Sequence, residues 1–319
     1  MVTISEVAKK ANVSRATVSR YLNNGYVSKE NREKIQKAID ELGYKVNTVA
    51  QALSKKSSKT IGLIVPSITN PFFPELARAV ESDVSLKGYK LIICNSYGNV
   101  EKEENFIYML EGMHANGIIT ATGNCREIYS KIKMPVVSID RKLDSDFVHV
   151  CSDNHKGGQL AFNHLYECGC NKLVFVRPSS SFASVRDRQE GFLAAAGSKN
   201  YNVDIINIPD DESEELPIGF ADRIQKYDGI FAWNDTTAVM ILRMLHNKGV
   251  RVPENIMLVG FDDIYISKLF IPSITTVRQQ IYEMGRKATK ALMDIIEKGK
   301  TSERSIVLDV ELIKRDTTA

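Results

Sequence analysis

From Thr60 onward the chain repeats one unit, a short run of β-branched and aliphatic residues followed by a longer stretch with apolar positions at helical spacing. Strand-like runs fall at 61–65, 91–94, 117–120, 136–139, 173–176, 203–208, 229–232 and 257–260, and helical patterns at 74–87, 101–114, 156–168, 186–196, 235–248 and 281–298. Apolar runs without in–out alternation suit strands covered on both faces. Their alternation with helices requires parallel sheets with crossover connections. Eight such strands, with further ones toward the C-terminus, exceed one ordinary core, so the pattern predicts two doubly wound α/β lobes.

The first fifty-three residues follow another rule. Thr3 can cap a short helix with Glu6 reaching back, and Ile4, Val7, Ala8 and Ala11 then share one face. Asn12 and Val13 make a turn, and Ser14 caps a second helix whose Val18 and Leu22 point back to the first. Arg15, Ala16, Thr17, Ser19 and Arg20 are left facing outward. A third helix begins near Ser28, carries Ile35, Ala38, Ile39 and Leu42 on one face, and stops at Gly43. Asn47 can cap a short further helix through Leu53, ahead of a polar linker at 54–59. So short a helix does not pay for its own nucleation and is expected to need a partner surface.

Small polar and cationic groups near a helix N-terminus suit base edges and phosphates. Charge sorts the same way: residues 1–60 hold twelve Lys or Arg against five Asp or Glu, a net of +7 in a chain whose total is +3. A basic headpiece on an acidic body suits a polyanion, with affinity falling as salt rises.

The headpiece resembles that of the LacI/GalR family of bacterial transcriptional regulators, and the body carries similar signatures in the family's order. These are 61–66 with Asn70-Pro71-Phe72-Phe73, Ser152-Asp153-Asn154 with Gly157-Gly158, Arg188 with Gly191-Phe192, Trp233-Asn234-Asp235, Gly260-Phe261-Asp262-Asp263 and Thr275-Thr276-Val277-Arg278-Gln279. Residues 25–28 and 89–96 are similar to sucrose- and ribose-operon repressors. Two positions depart from the pattern: Gln280 stands where the family usually has proline, and Ser67 replaces a frequent acidic residue.

The resemblance implies an all-α helix-turn-helix headpiece at 1–46, a hinge helix and linker at 47–59, and a periplasmic-binding-protein-like core at 60–319. It further implies an N-lobe of about 60–150 and 279–307, a C-lobe of about 151–278 and 308–319, and three crossings near Val150, Arg278 and Leu308. Thr3, Ser14, Arg15, Ala16, Thr17, Arg20, Asn23, Asn47, Ala50 and Leu53 are the candidate DNA-binding residues. In this family a leucine placed like Leu53 wedges with its dimer mate into the minor groove. The implied partners are a pseudo-palindromic operator, a second copy of the chain and a small effector, either a sugar or a sugar phosphate. With no heptad segment after the last strand, a dimer is expected rather than a tetramer.

In doubly wound sheets ligands sit beyond the carboxyl ends of the strands. Polar and aromatic clusters follow the strands here, at 67–73, Asp140-Arg141, 177–181, 233–235 and Asp262-Asp263. Carboxylates, an amide and guanidinium groups can hold hydroxyl pairs, while aromatic rings cover C–H faces, which suits a sugar or nucleoside. Asn70, Phe72, Phe73, Asp140, Arg188, Trp233, Asn234 and Asp262 are the candidate effector residues. Of these, Arg188, Asn234 and Asp262 fall on the family's effector positions.

An enzyme is not expected, because no phosphate-binding glycine loop, nucleophile elbow or His-Glu-x-x-His motif is present and the five histidines are dispersed. No cofactor is expected. Cys168-Gly169-Cys170 with His164 lacks zinc spacing and reads instead as a helix end. The five cysteines suit reduced thiols. With no membrane-length apolar run and no signal-peptide core, the protein is expected to be soluble, cytoplasmic and nucleoid-associated. Two alternatives remain at this point. One is a DNA-binding regulator answering to a phosphoprotein corepressor, and the other is a pure sugar-binding module.

Overall fold

The computed structural model describes residues 2–23, 25–45, 57–123, 125–143, 146–180, 182–210 and 216–318. It divides into two compact units, 1–58 and 59–319. The candidate hinge residues Asn47, Ala50 and Leu53 lie outside the described residues.

In the smaller unit, α1 (Ile4–Ala11) opens with a complete capping box between Thr3 and Glu6 and closes on Asn12 in the left-handed region at φ 52°. The hydroxyl of Ser14 caps α2 (Arg15–Leu22) by accepting from the Thr17 amide. Ser28 caps α3 (Lys29–Leu42) in the same way, and Gly43 at φ 58° ends it. Val7, Ala8, Ala11, Val18, Val27, Ile35 and Ala38 form the small core.

The larger unit holds two six-stranded sheets. Lobe 1 has β1 (Thr60–Val65), β2 (Lys90–Asn95), β3 (Gly117–Thr120), β4 (Val136–Ile139), β5 (Val148–Ser152) and β11 (Ser305–Leu308) in the order β11-β5-β4-β3-β1-β2, all parallel. Lobe 2 has β6 (Leu173–Pro178), β7 (Val203–Ile208), β8 (Gly229–Ala232), β9 (Met257–Asp262), β10 (Thr275–Arg278) and β12 (Glu311–Ile313) in the order β12-β10-β9-β8-β6-β7. There only β12 runs antiparallel, against β10. Strand order reverses beside β1 in one lobe and beside β6 in the other, and at such points crevices open at the carboxyl ends. The chain passes between lobes after Ser152, between Arg278 and Ile281, and between Leu308 and Glu311.

Between the strands lie α4 (Phe72–Leu86), α5 (Val100–Gly112), α6 (Arg126–Tyr129), α7 (Asn154–Glu167), α8 (Ala183–Ser198), α9 (Phe220–Ile224), α10 (Asp235–Asn247) and α11 (Ile281–Lys298). Helix α4 starts two residues before the run expected from sequence, placing Phe72 and Phe73 in its first turn, where Pro74 is tolerated because early helical amides need no partner. Gly169, at φ 83°, follows the end of α7 and gives the Cys-Gly-Cys run its helix-stop role. Strands β5 and β10 and the short helices α6 and α9 were not separately legible as elements.

One seam sets the geometry of lobe 2. A Cβ at Gly158 on α7 would stand 2.0 Å from the Arg188 carbonyl oxygen, and one at Gly191 on α8 would stand 1.9 Å from that of His155. The two helices touch backbone to backbone, and Arg188 is carried at that contact. Gly191→Ala must therefore force α8 outward. We expect destabilisation of about 1–3 kcal/mol in denaturant unfolding, the usual penalty for overpacking, together with weakened ligand binding in calorimetry; unchanged values for both would show that the seam is slack.

Candidate functional site

In the headpiece, Ser14, Arg15, Ala16, Arg20 and Asn23 are exposed, and Thr17 and Ser19 are half-buried. Among the described residues the headpiece ion pairs are Lys10–Glu41, Lys34–Glu30 and Lys37–Glu41, all between α1 and α3 or within α3. Arg15 and Arg20 take part in none of these, so α2 presents its charge to solvent. Three of the small polar candidates have local work as well. Thr3 lies in the capping box, the hydroxyls of Ser14 and Thr17 meet at 2.8 Å, and Asn23 Nδ2 donates to the Ser19 carbonyl at 2.8 Å.

In the core, all eight candidate effector residues line one cavity between the lobes. Asn70, Phe72 and Phe73 follow β1, Asp140 follows β4, and Arg188 comes from α8 after β6. Trp233 and Asn234 follow β8, and Asp262 ends β9. Four more residues complete the lining: Arg141, Phe182, Ser184 and Gln279. Arg141 and Gln279 belonged to recognised motifs, whereas Phe182 and Ser184 lie just past the cluster read after β6. Arg177, within that cluster, turns away and donates to Gln189. The space left between these side chains is about 40 Å³, near the volume of a single water molecule.

Arg188 is the electrostatic centre, with 3% of its side chain exposed. Its Nε donates to Asn154 Oδ1 at 2.8 Å and its Nη1 to the Trp233 carbonyl at 2.6 Å. The guanidinium also lies 3.7 Å from the centroid of the Phe261 ring. Carboxylates of Asp140 and Asp262 each stand 3.9 Å away, close enough to balance charge but too far to hydrogen-bond. Asp262 Oδ1 accepts from Gln279 Nε2 at 2.6 Å, and Asp140 Oδ2 accepts from Ser184 Oγ at 2.9 Å. Asp140 Oδ1 and Gln279 Oε1 are buried acceptors with no donor among the described residues. Two arginines and two aspartates line the cavity, and the open acceptors suit a molecule rich in hydroxyl donors.

Asp140, Asp262 and Asp263 hold positive φ angles of 58°, 120° and 58°, the kind of backbone strain that collects at binding sites. Burial holds the Asp262 carboxyl well above the usual carboxylate range, against the pull of Arg188. Asn234 Oδ1 accepts from the Thr237 amide and so caps α10. Asp235 serves structure: it accepts from the Ile264 amide, Ser267 Oγ and Thr276 Oγ1. Among the described residues no group of three or more His, Cys, Asp or Glu is arranged to hold a metal ion.

A larger cavity of about 890 Å³ lies along α10, bounded by Leu216, Phe220, Val239, Met240 and Met244. It shares only Asn70 with the cleft, and the charged groups on its lining, among the described residues, are Arg243 and Lys248 with no carboxylate beside them in that lining.

Residues 3–47 match the model of bacterial regulatory proteins of the lacI family, and residues 162–318 match a periplasmic binding protein-like domain. The chain is 38% identical over 323 residues to the ribose operon repressor of Halalkalibacterium halodurans, covering all of this chain and 97% of that protein. It belongs to the LacI family. A LacI-type regulator from Alkaliphilus metalliredigens, solved with D-xylulofuranose, is 35% identical with a TM-score of 0.77, covering 82% of this chain and 99% of that one. A LacI-family regulator from Enterococcus faecium with bound ribose is 27% identical with a TM-score of 0.72, covering 82% and 98%. The helix-turn-helix unit and the paired parallel-sheet lobes are thus those of a LacI-family DNA-binding regulator, and among the described residues no helix is long and apolar enough to cross a membrane.

Burial raises the Asp235 carboxyl to about 7, with its three hydrogen bonds pulling the other way. A carboxyl whose folded value lies above its unfolded value contributes stability that is full below the unfolded value and lost as pH rises through the folded one. Melting should therefore fall from pH 4 to 7 less steeply in Asp235→Asn than in the parent. Parallel profiles would show that Asp235 titrates alike in both states.

Proposed function

We propose that this LacI-family regulator is a repressor whose operator affinity is set by a small sugar in the interlobe cleft. The carrying observation is one buried cleft in which Asp140 and Asp262 flank Arg188 while Asp140 Oδ1 and Gln279 Oε1 await donors. Sugar hydroxyls supply donors to the open Asp140 and Gln279 oxygens, whereas a phosphate dianion would meet them with acceptors only. That favours a neutral sugar over a sugar phosphate. The relatives point the same way, being a ribose operon repressor and regulators solved with ribose or D-xylulofuranose.

The phosphoprotein alternative finds less support. On the groove between α4 and α11 the cations Lys87, Arg286, Lys287 and Lys298 already pair with Glu297, Asp83, Glu283 and Asp294. For the DNA partner we propose two copies reading the halves of a pseudo-palindromic site, which suits recognition by a two-fold dimer. Exposed Ile93 and Tyr97 on lobe 1 and Tyr265, Leu269 and Ile271 on lobe 2 offer apolar surface for a second copy. Arg15 and Arg20 are assigned to base and phosphate contacts, with Ser14, Ala16 and Thr17 beside them. Asn47, Ala50 and Leu53 are assigned to the hinge that transmits the effector signal.

Fluorescence anisotropy on a selected operator, with ribose titrated in, tests the main reading. We expect ribose to change the operator Kd by about 5- to 150-fold, the usual span of allosteric coupling, and Arg188→Ala to abolish that response. A Kd indifferent to ribose and other monosaccharides would overturn the sugar assignment. In the same assay Arg20→Ala should weaken specific binding by about 1–3 kcal/mol, the worth of one good arginine contact; parent-like affinity would remove α2 as the reading helix.

A further inference from the structure

A carboxyl is sealed inside lobe 1, outside the lining of the cleft. Glu103 in the first turn of α5, Thr120 at the end of β3 and Thr122 just beyond it are fully buried, and Tyr129 of α6 is 1% exposed. Thr122 Oγ1 and Tyr129 Oη both donate to Glu103 Oε1, the latter at 2.8 Å. Cys125 Sγ donates to the Val100 carbonyl at 3.3 Å. One carboxyl oxygen thus ties the segment after β3, residues 121–123 and 125–129, to the start of α5. The other, Oε2, is buried with no partner among the described residues. Arg141, which follows β4, is the cation whose field reaches this carboxyl, and it does so without an ion pair. The other titratable neighbours are neutral at physiological pH: burial and the Glu103 carboxyl hold Tyr129 well above its ordinary value, and burial together with Glu103 and Glu104 pushes the Cys125 thiol up to about 12. A bare oxygen is tolerable on a neutral acid and costly on half of a buried carboxylate. Burial accordingly raises the Glu103 carboxyl, against the pull of Thr122, Tyr129 and Arg141.

We infer that Glu103 is a positioning residue for the effector site: as a neutral acid it holds the segment after β3 against Arg141, and its ionisation weakens effector binding. The inference rests on the sugar-cleft reading but adds to it a residue that lines no part of the cleft. The connection is steric. A Cβ at Gly123 would stand 3.3 Å from that of Arg141, so the segment lies against the arginine stem. Arg141 in turn lines the cavity, with its guanidinium 3.6 Å from the centroid of the Phe182 ring. Ionised, Glu103 needs a donor at Oε2, and the Thr122 and Tyr129 hydroxyls have each committed their one hydrogen to Oε1. The segment must then open to water, and the new charge draws on Arg141. Because the folded carboxyl titrates above its unfolded value, the hold is complete at low pH and is lost as pH rises through the folded value.

The test compares the full-length parent with Glu103→Gln, since glutamine keeps an oxygen acceptor for both hydroxyls and cannot ionise. The first measurement needs no ligand. Carbon-13 NMR of labelled glutamate carboxyls follows Glu103, assigned by the signal missing from Glu103→Gln, while hydrogen exchange follows the amides of Thr122, Ile128 and Tyr129, which are bonded within the held segment. We expect Glu103 to titrate above the ordinary glutamate range, and protection of those amides, relative to Glu103→Gln at the same pH, to fall as it does. The second measurement is the calorimetric Kd for ribose. The ratio of parent to Glu103→Gln should be near one at about pH 5 and rise by about tenfold by about pH 8, the effect of a one-unit difference in the carboxyl between its loaded and free forms. A residue that only fills space would leave that ratio the same at every pH, and such a flat ratio would overturn the positioning role. A Glu103 signal that titrates in the ordinary range would overturn the neutral acid. A parent that binds no monosaccharide would overturn the sugar reading alone, because titration and exchange still decide whether Glu103 holds the segment as a neutral acid.

Discussion

A guanidinium cannot shed its charge, and taking it out of water costs several kcal/mol unless it is paired and hydrogen-bonded. Arg188 is almost fully buried, and its partners explain much of how the core is put together. Asn154 supplies an amide oxygen from the first residue of α7, Trp233 a carbonyl from the end of β8, and Phe261 a ring face from β9. Asp262 supplies charge from the end of β9. One cation thereby draws together segments that follow three of the lobe 2 strands and the first crossover. The glycine seam permits it, since α8 could not bring Arg188 so close to α7 if Gly158 carried a Cβ. The remaining countercharge, Asp140, is the only ionic partner of Arg188 from lobe 1 among the described residues. Arg188 therefore has its countercharge from lobe 1 as well as from its own lobe, which couples the two lobes at the cleft.

The sheets were legible because parallel strands buried on both faces carry few polar residues, as at 61–65 and 136–139. Strands with polar content were harder to see. In β5 His149 is accommodated by Ser138 Oγ across the sheet at 3.0 Å, and in β10 the hydroxyls of Thr275 and Thr276 are satisfied by Thr318 and Asp235. Those partners are distant in sequence, so the residues look like loop until the fold satisfies them. At the site, residues placed by one strand end could be read from their type and position, whereas Phe182 and Ser184 take their meaning from the opposite lobe. The headpiece side chains have a second role that the sequence did not reveal. Serine, threonine and asparagine on α2 read as outward-facing recognition groups, yet Ser14, Thr17 and Asn23 also satisfy nearby backbone or one another, the local bonding for which such side chains are favoured at helix ends.

The crossovers are tied to one another and to the cleft. Asp263, next to the cleft residue Asp262, is buried and receives Arg278 Nε at 2.7 Å as well as Arg315. Arg278 also reaches Glu311 at 2.6 Å, which joins the second crossover to the strand after the third. Lys156, just beyond the first crossover, pairs with Asp309 in the third, and Gln280 Nε2 donates to the Asp309 carbonyl. A proline at 280 would have no amide group with which to make that link, so the departure from the family pattern adds a lateral tie where the lobes hinge. Relative motion of the lobes cannot then be taken up by one strand of backbone alone, because each crossover is fastened to a neighbour. Asp262 sits one peptide away from this network, in a strained conformation that the network helps to hold. On the sugar-cleft proposal, a ligand held by the Asp262 carboxyl would bear directly on this junction, so that one residue would join recognition to lobe orientation.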